Sequence, residues 1–227
     1  MEPVPALVTL HLWRVRPGDV PRALLHMGRD RARLRRTPGV RFGKMLGTGD
    51  GQTFTVRDAD PLRWAMLTTW ASPGDNPVAR SWEAFALETY RVDLRPLVSR
   101  GRWSGRAPFG DPTPTRYTGP VAAITRARIR TTRAAGFWRA VPAVSADLRA
   151  HPGLRAAVGI GEAPVGLQGT FSLWESPAAL RGFAHRSAAH VEVIGRTDTE
   201  RWYAEELFAR FAVLDTSGTL DGRDPLA

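Results

Sequence analysis

The sequence predicts an α+β protein built from tandem ferredoxin-like repeats that close on each other as a pseudo-dimeric α/β barrel. Two short motifs and one order of segments predict it. Pro38-Gly39-Val40-Arg41 follows a long amphipathic stretch, and Pro152-Gly153-Leu154-Arg155 follows its counterpart. Trp70-Ala71-Ser72-Pro73 and Trp174-Glu175-Ser176-Pro177 each close a run of strand character. Both motifs fall within the same β-α-β-β-α succession, and internal self-similarity is the mark of repeated architecture. A ferredoxin-like unit covers one sheet face with helices and leaves the other bare. Two units in one chain can bury those bare faces on each other.

The elements of the first half, residues 1–98, follow in order. Val8–Val15 is rich in β-branched and aromatic residues and reads as a strand, and the stretch from Val20 to Arg36 as a helix. After the Pro-Gly turn, the Gly-rich Met45–Gly49 and the strong run Arg63–Trp70 read as strands, and a second helix is expected to carry Trp82, Phe85 and Tyr90. In the second half, residues 121–227, Val121–Ile129 is a strand and the stretch holding Phe137, Trp138 and Leu148 a helix. Val158–Gly161 and Gln168–Trp174 are strands, with a helix after them. Ser-Pro suits a strand-to-helix junction, because Ser caps free helix N–H groups and Pro has none to leave unsatisfied. Residues 99–120 read as a connecting loop or lid, and Trp103 and Phe109 favour a packed one.

Strand alternation sorts the side chains. In Val121–Arg130 the odd positions form an apolar face suited to helices, which sends Arg126 and Arg128 toward the space between the sheets. On the repeat, Thr9, His11 and Trp13 take the same inward face, with Trp64, Met66, Thr68 and Trp70 on one third strand and Thr170, Ser172 and Trp174 on the other. The expected result is one shared pocket, aromatic and apolar, edged by hydroxyls and cations. Such a pocket suits a large flat or greasy ligand that carries carboxylates.

Composition narrows the function classes. The net charge is +10, but Lys44 is the only lysine and the arginines are spread among acidic residues. This pattern reads as solvated arginine faces or docking for an acidic protein, and argues against nucleic acid. With no cysteine there is no disulfide, thiolate ligand or Cys nucleophile. No stretch approaches the roughly 18 apolar residues of a membrane span, and the N-terminus lacks the basic region of a secretory signal. A cytoplasmic protein, at most peripheral to a membrane, is expected.

Catalytic motifs are few. There is no Gly-x-Ser-x-Gly elbow, no GxxxxGK and no HExxH, and Gly47-Thr48-Gly49-Asp50-Gly51 reads as a hairpin turn rather than a dinucleotide loop. His151 sits in a turn and His26 in an arginine-rich helix; His11 faces the expected pocket, and His185 and His190 fall on a helix expected in the second half. A helical imidazole beside a Trp-rich, Arg-edged slot matches the needs of haem: one axial nitrogen, apolar walls and cations for the propionates.

The strings RWAMLTTW, WSGRAPF, PVAAITRARI, FWRAVP, GIGEAPVGLQGTFSLWESP and RTDTERWYAEELFARF resemble the spheroidene monooxygenase family over about Val8 to Val213. The resemblance implies an oxygenase with haem b, of the dimeric α/β-barrel type, that inserts oxygen from O₂ into a hydrophobic, carotenoid-like small molecule. A ferredoxin-type electron donor would supply electrons. His190 is the first choice of axial ligand, because it precedes the stretch most like the family; His185 and His11 follow. Trp70 and Trp174 would wall the haem slot and Arg126 and Arg128 hold its propionates, on strand geometry. Thr68, Ser172 or His11 would donate a hydrogen bond to bound oxygen. Three alternatives stay open: aldoxime-dehydratase-like haem chemistry on a nitrogen substrate, a non-catalytic haem or lipid carrier, and a cofactor-free monooxygenase. The internal duplication makes a monomer sufficient, and exposed edge strands leave a homodimer open.

Overall fold

A computed structural model of the chain describes residues 2–50, 58–130, 145–162, 167–186 and 202–227, without the side chains of Leu167, His185 and Arg186. The first half comprises β1 (Leu7–Arg14), α1 (Val20–Arg35), β2 (Val40–Gly49), β3 (Ala59–Trp70), α2 (Pro77–Glu83) and β4 (Glu88–Gly101). The second comprises β5 (Val121–Ile129), the helical residues 145–150 (α3), β6 (Leu154–Gly161), β7 (Leu167–Trp174), α4 (Pro177–Arg186) and β8 (Tyr203–Gly218). Of the helix expected around Phe137 to Leu148, only 145–150 fall within the described residues.

The strands close into one barrel in the order β1-β3-β2-β6-β7-β5-β8-β4, and every pairing is antiparallel. Read as β4-β1-β3-β2 and β8-β5-β7-β6, this is the ferredoxin-like order written twice. A short seam joins β2 to β6 from Gly47↔Gly161 to Gly49↔Gly159, and a long one joins β4 to β8 from Tyr90↔Gly218 to Gly101↔Leu207. Closure leaves no unpaired edge among these strands, so the edge-to-edge route to a homodimer has no strand to use.

The two repeated motifs turn out to be the two sides of one contact. The Ala71 N–H donates to the Gly39 carbonyl at 2.7 Å, and the Glu175 N–H to the Gly153 carbonyl at 3.1 Å. Gly39 has φ +80°, and a Cβ there would lie 2.5 Å from the Ser72 carbonyl oxygen, so both backbone and space require glycine. Ser176 caps α4 as expected, its hydroxyl accepting from the Ala179 N–H at 3.2 Å, with Pro177 opening the helix. In the first half the helix starts later: Asn76 accepts from the Val78 and Ala79 N–H groups, and Pro77 follows it.

A fourth strand closes each half. Tyr90 belongs to β4 and not to a helix, so the second helix ends earlier than expected. After each fourth strand the chain makes the same turn: Gly101-Arg-Trp-Ser-Gly-Arg-Ala-Pro-Phe after β4, and Gly218-Thr-Leu-Asp-Gly-Arg-Asp-Pro-Leu after β8. Gly101, Ser104 and Gly105 have positive φ, and so do Gly218, Asp221 and Gly222. Trp103 bridges to Arg106 as Leu220 does to Arg223.

Inside the barrel the core is Val8, Leu10 and Leu12 of β1, Ala65 and Leu67 of β3, Ala122 and Ile124 of β5, and Phe171 and Leu173 of β7, with Trp103, Phe109 and Leu220 joining them. The space between the sheets is therefore filled, and the shared pocket expected there is corrected. The face assignment for β1, β3 and β7 is off by one residue, and a slip of one moves every side chain to the opposite face. Thr9, His11, Trp13, Met66, Thr68, Ser172 and Trp174 point outward, beneath helices.

Candidate active site

The structure offers four places for chemistry: the two barrel mouths and the outward sheet face of each half.

One mouth is closed by the 99–120 segment, which acts as a plug rather than a lid. Trp103 is fully buried, and its indole N–H donates to Glu162 Oε2 at 2.8 Å. Glu162 also pairs with Lys44 and, at 2.8 Å, with Arg126, whose guanidinium reaches Glu205 as well. Burial pushes the Glu162 carboxyl up, but hydrogen bonds from Lys44 and Trp103 and the Arg126 charge hold it below the usual carboxylate range on balance. Glu205 accepts from the Ser104 and Gly105 N–H groups at 2.9 and 2.7 Å. At the other mouth Glu88 accepts from the Gly222 N–H at 2.7 Å and the Thr219 hydroxyl at 3.0 Å. Arg126 thus faces the interior as expected, but two carboxylates occupy it; Arg128 follows on the same alternation and is exposed.

The outward face of the first half is packed solid. Trp13, Met45, Trp64, Met66, Trp82 and Phe85 form one cluster under α1 and α2. His11 lies 5% exposed in this layer, stacked 5.4 Å from the Trp13 ring, and burial with the Arg91 charge depresses its pKa to about 3. It is a neutral core residue. Thr68 is bonded to Thr9, whose hydroxyl oxygen also accepts from the Trp70 indole N–H at 3.2 Å. Beneath α1, fully buried Asp30 accepts from His26, Arg33 and Trp82 at 2.9, 2.9 and 3.1 Å.

The second half repeats this face without its bulk. Strand register aligns the rows. Where Met45, Met66 and His11 lie side by side across β2, β3 and β1, the second half has Gly159, Thr170 and Thr125 across β6, β7 and β5. In the adjacent row, Trp64 and Trp13 are matched by Gln168 and Ala127. Thr125 is exposed where His11 is buried. The next row, Ala157, Ser172 and Ala123, is as small as its counterpart, and beyond it Trp174, Leu180 and Phe183 pack under α3 and α4. Among the described side chains these rows are low, a hollow relative to the first half, although Gln168 and Ser172 in them are buried; an aromatic wall stands at one end. Trp174 donates to the Ser172 hydroxyl oxygen at 2.9 Å and stacks edge-on with His151.

Arg210 of β8 flanks the hollow. It pairs with Ala123, and its Nε is buried without a hydrogen-bond partner. Burial and the neighbouring Arg181 of α4 pull its pKa below the ordinary arginine value. Two cations face each other there with no carboxylate between them among the described ion pairs. Sequence reasoning missed Arg210, although its strand puts Leu207, Ala209 and Phe211 on one face and Glu206, Phe208 and Arg210 on the other. His185 lies on α4, and His190 lies outside the described residues. No group of three His, Asp or Glu side chains that could hold a metal ion occurs among the described residues.

Fold and site together define a fused two-unit ferredoxin-like barrel with plugged mouths, one outer layer of bulky side chains and one that, among the described residues, carries smaller ones. Two solved aldoxime dehydratase structures share this fold. One, OxdRE in complex with butyraldoxime, has TM-score 0.61 at 10% identity over 92% of this chain and 79% of that one; another has 0.58 at 9%, over 92% and 81%. No family model matches the sequence. The chain is 36% identical over 222 residues to the spheroidene monooxygenase of Rhodobacter capsulatus, covering 92% of this chain and 90% of that protein. It is 34% identical over 197 residues to that of Cereibacter sphaeroides, covering 83% of this chain and 60% of the other. With Rubrivivax gelatinosus spheroidene monooxygenase the identity is 35% over 194 residues, 82% of this chain and 73% of that one. The chain belongs to the spheroidene monooxygenase family.

Proposed function

We propose that this protein is a haem-dependent monooxygenase that acts on a carotenoid-like apolar substrate, with the haem seated on the outer sheet face of the second half. The family supports the reaction class. The observation that carries the location is the row-by-row loss of bulk between the two halves: Met45, Met66 and His11 against Gly159, Thr170 and Thr125. A flat ring needs such a floor, and the first half has none.

The residues around the hollow fit the group. Arg210 and Arg181 supply cations for two propionates, and the orphaned Arg210 Nε is a donor already desolvated for the purpose. The two repeats thus favour Arg210 and Arg181 over Arg126 for this role. His190 or His185 would supply the imidazole that holds the iron. Bound haem would activate O₂, so that one oxygen atom enters a C–H bond and the other leaves as water, using two electrons from a ferredoxin-type donor and two protons. The Ser172 hydroxyl, accepting from Trp174, keeps its own proton free for donation into the hollow.

The test fills the hollow with the first half's own residues. Wild type titrated with haemin should develop a Soret band, and the variant T125H/T170M should not, with far-ultraviolet circular dichroism unchanged in both. A filled variant that binds haemin as wild type does would move the site elsewhere. Wild type that never develops the band would remove the haem reading.

A further inference from the structure

We infer that the outward face of α1 docks the protein on an anionic lipid surface. This stands apart from the haem reading and uses none of its residues. The helix turns Ala23, His26, Met27, Asp30 and Leu34 into the molecule. At about 100° per residue the opposite arc is centred between Leu24 and Leu25. These two are 57% and 75% exposed, the largest values among the exposed large hydrophobic residues described. Nothing in the fold uses them.

Their surroundings decide what they meet. Arg22 and Arg29 lie one helical turn before and after Leu25, and Arg31 and Arg35 lie further along the line of Leu24; all four are exposed, and Arg31 also donates to the Glu162 carbonyl at 3.2 Å. The only acidic residue of the helix, Asp30, is buried and taken by His26, Arg29, Arg33 and Trp82. The outward arc is therefore cationic and apolar with no negative charge on it. Arg22 lies 4.3 Å over the Phe85 ring, which brings the start of α1 beside the segment carrying Leu87, itself 54% exposed. A helix lying in the interface plane needs this arrangement: leucines reaching the acyl boundary, with arginines on both flanks at the depth of the phosphates. The helix face is convex, so a protein partner would need a groove shaped to it, whereas a lipid surface adapts.

Co-sedimentation of the full chain with vesicles tests this. Vesicles of phosphatidylcholine containing about a third phosphatidylglycerol should carry the protein down, and pure phosphatidylcholine vesicles should not. The variant L24S/L25S should bind the anionic vesicles at least about tenfold more weakly, and so should R31Q/R35Q. R116Q/R149Q, which removes the same charge from exposed positions elsewhere, should bind like wild type. Circular dichroism confirms that each variant is folded. The inference fails if wild type ignores anionic vesicles, if L24S/L25S binds as wild type does, or if R116Q/R149Q weakens binding as much as R31Q/R35Q. A dimer in gel filtration that L24S/L25S converts to monomer, without vesicle binding, would assign the face to a second copy and overturn it too.

Discussion

His11 and Thr125 occupy the same position in the two halves, yet His11 is sealed in the core and Thr125 is open to solvent. The first layer fills these rows with bulky side chains, and its copy carries smaller ones in the same places.

The buried His11 makes the protein acid-sensitive. Its folded pKa of about 3 lies below the unfolded value near 6.5, so the neutral ring stabilises the fold above the unfolded value. That contribution is lost as pH falls from about 6.5 toward 3, at up to roughly 1.4 kcal/mol per pH unit. Urea midpoints measured at pH 7, 6, 5 and 4 should fall more steeply for wild type than for H11N, which cannot titrate.

Asp30 anchors α1 to α2 by taking hydrogen bonds from His26, Arg33 and the Trp82 indole. Replacing it with alanine strands those donors, at a cost of about 3 kcal/mol or more. Thermal unfolding of D30A should show a large loss, while R29A, on the exposed side of the same carboxylate, should lose under about 1 kcal/mol.

The two plugs differ in size and should differ in cost. Trp103→Ala removes a fully buried indole and leaves Glu162 without one donor, for about 3–5 kcal/mol, whereas Leu220→Ala should cost about 2–3 kcal/mol. Denaturant titration of both variants tests the order.

Arg210 should matter to haemin but not to its dimethyl ester. R210M should weaken haemin binding about tenfold or more and leave binding of the ester at the wild-type level, because the ester has no carboxylates to pair. Equal weakening of both would indicate damage to the floor instead. Soret titrations read each case.

The duplicated architecture could be read from the sequence because its two motifs are sterically tied to each other, Gly39 against Ala71 and Gly153 against Glu175. Which strand face looks inward could not. β1 alternates Val8, Leu10 and Leu12 inside with Thr9, His11 and Trp13 outside, and a strand covered on both sides is apolar on both. Without the pairing register nothing in such a strand says which face is the inner one, and taking the other puts Thr68, Trp70, Ser172 and Trp174 inside. The fourth strands were legible but missed: Tyr90, Val92 and Leu94 alternate with Arg91, Asp93 and Arg95. So was the turn repeated at Gly101 and Gly218. Arg126 was placed on its correct face, but carboxylates as remote in sequence as Glu162 and Glu205 gave no sign that they would claim it.

Those turns are reciprocal. The one leaving the first half seats Trp103 and Phe109 among Glu162, Glu205 and Phe211 of the second, and the one leaving the second sends Asp221, Gly222 and Asp224 to Arg63, Glu88 and Tyr90 of the first. Each stopper is seated in part by the opposite half. Cut between residues 110 and 120, the chain should give two fragments that stay unfolded apart and regain structure only when mixed, so the protein can be divided in two and made conditional on its own reassembly.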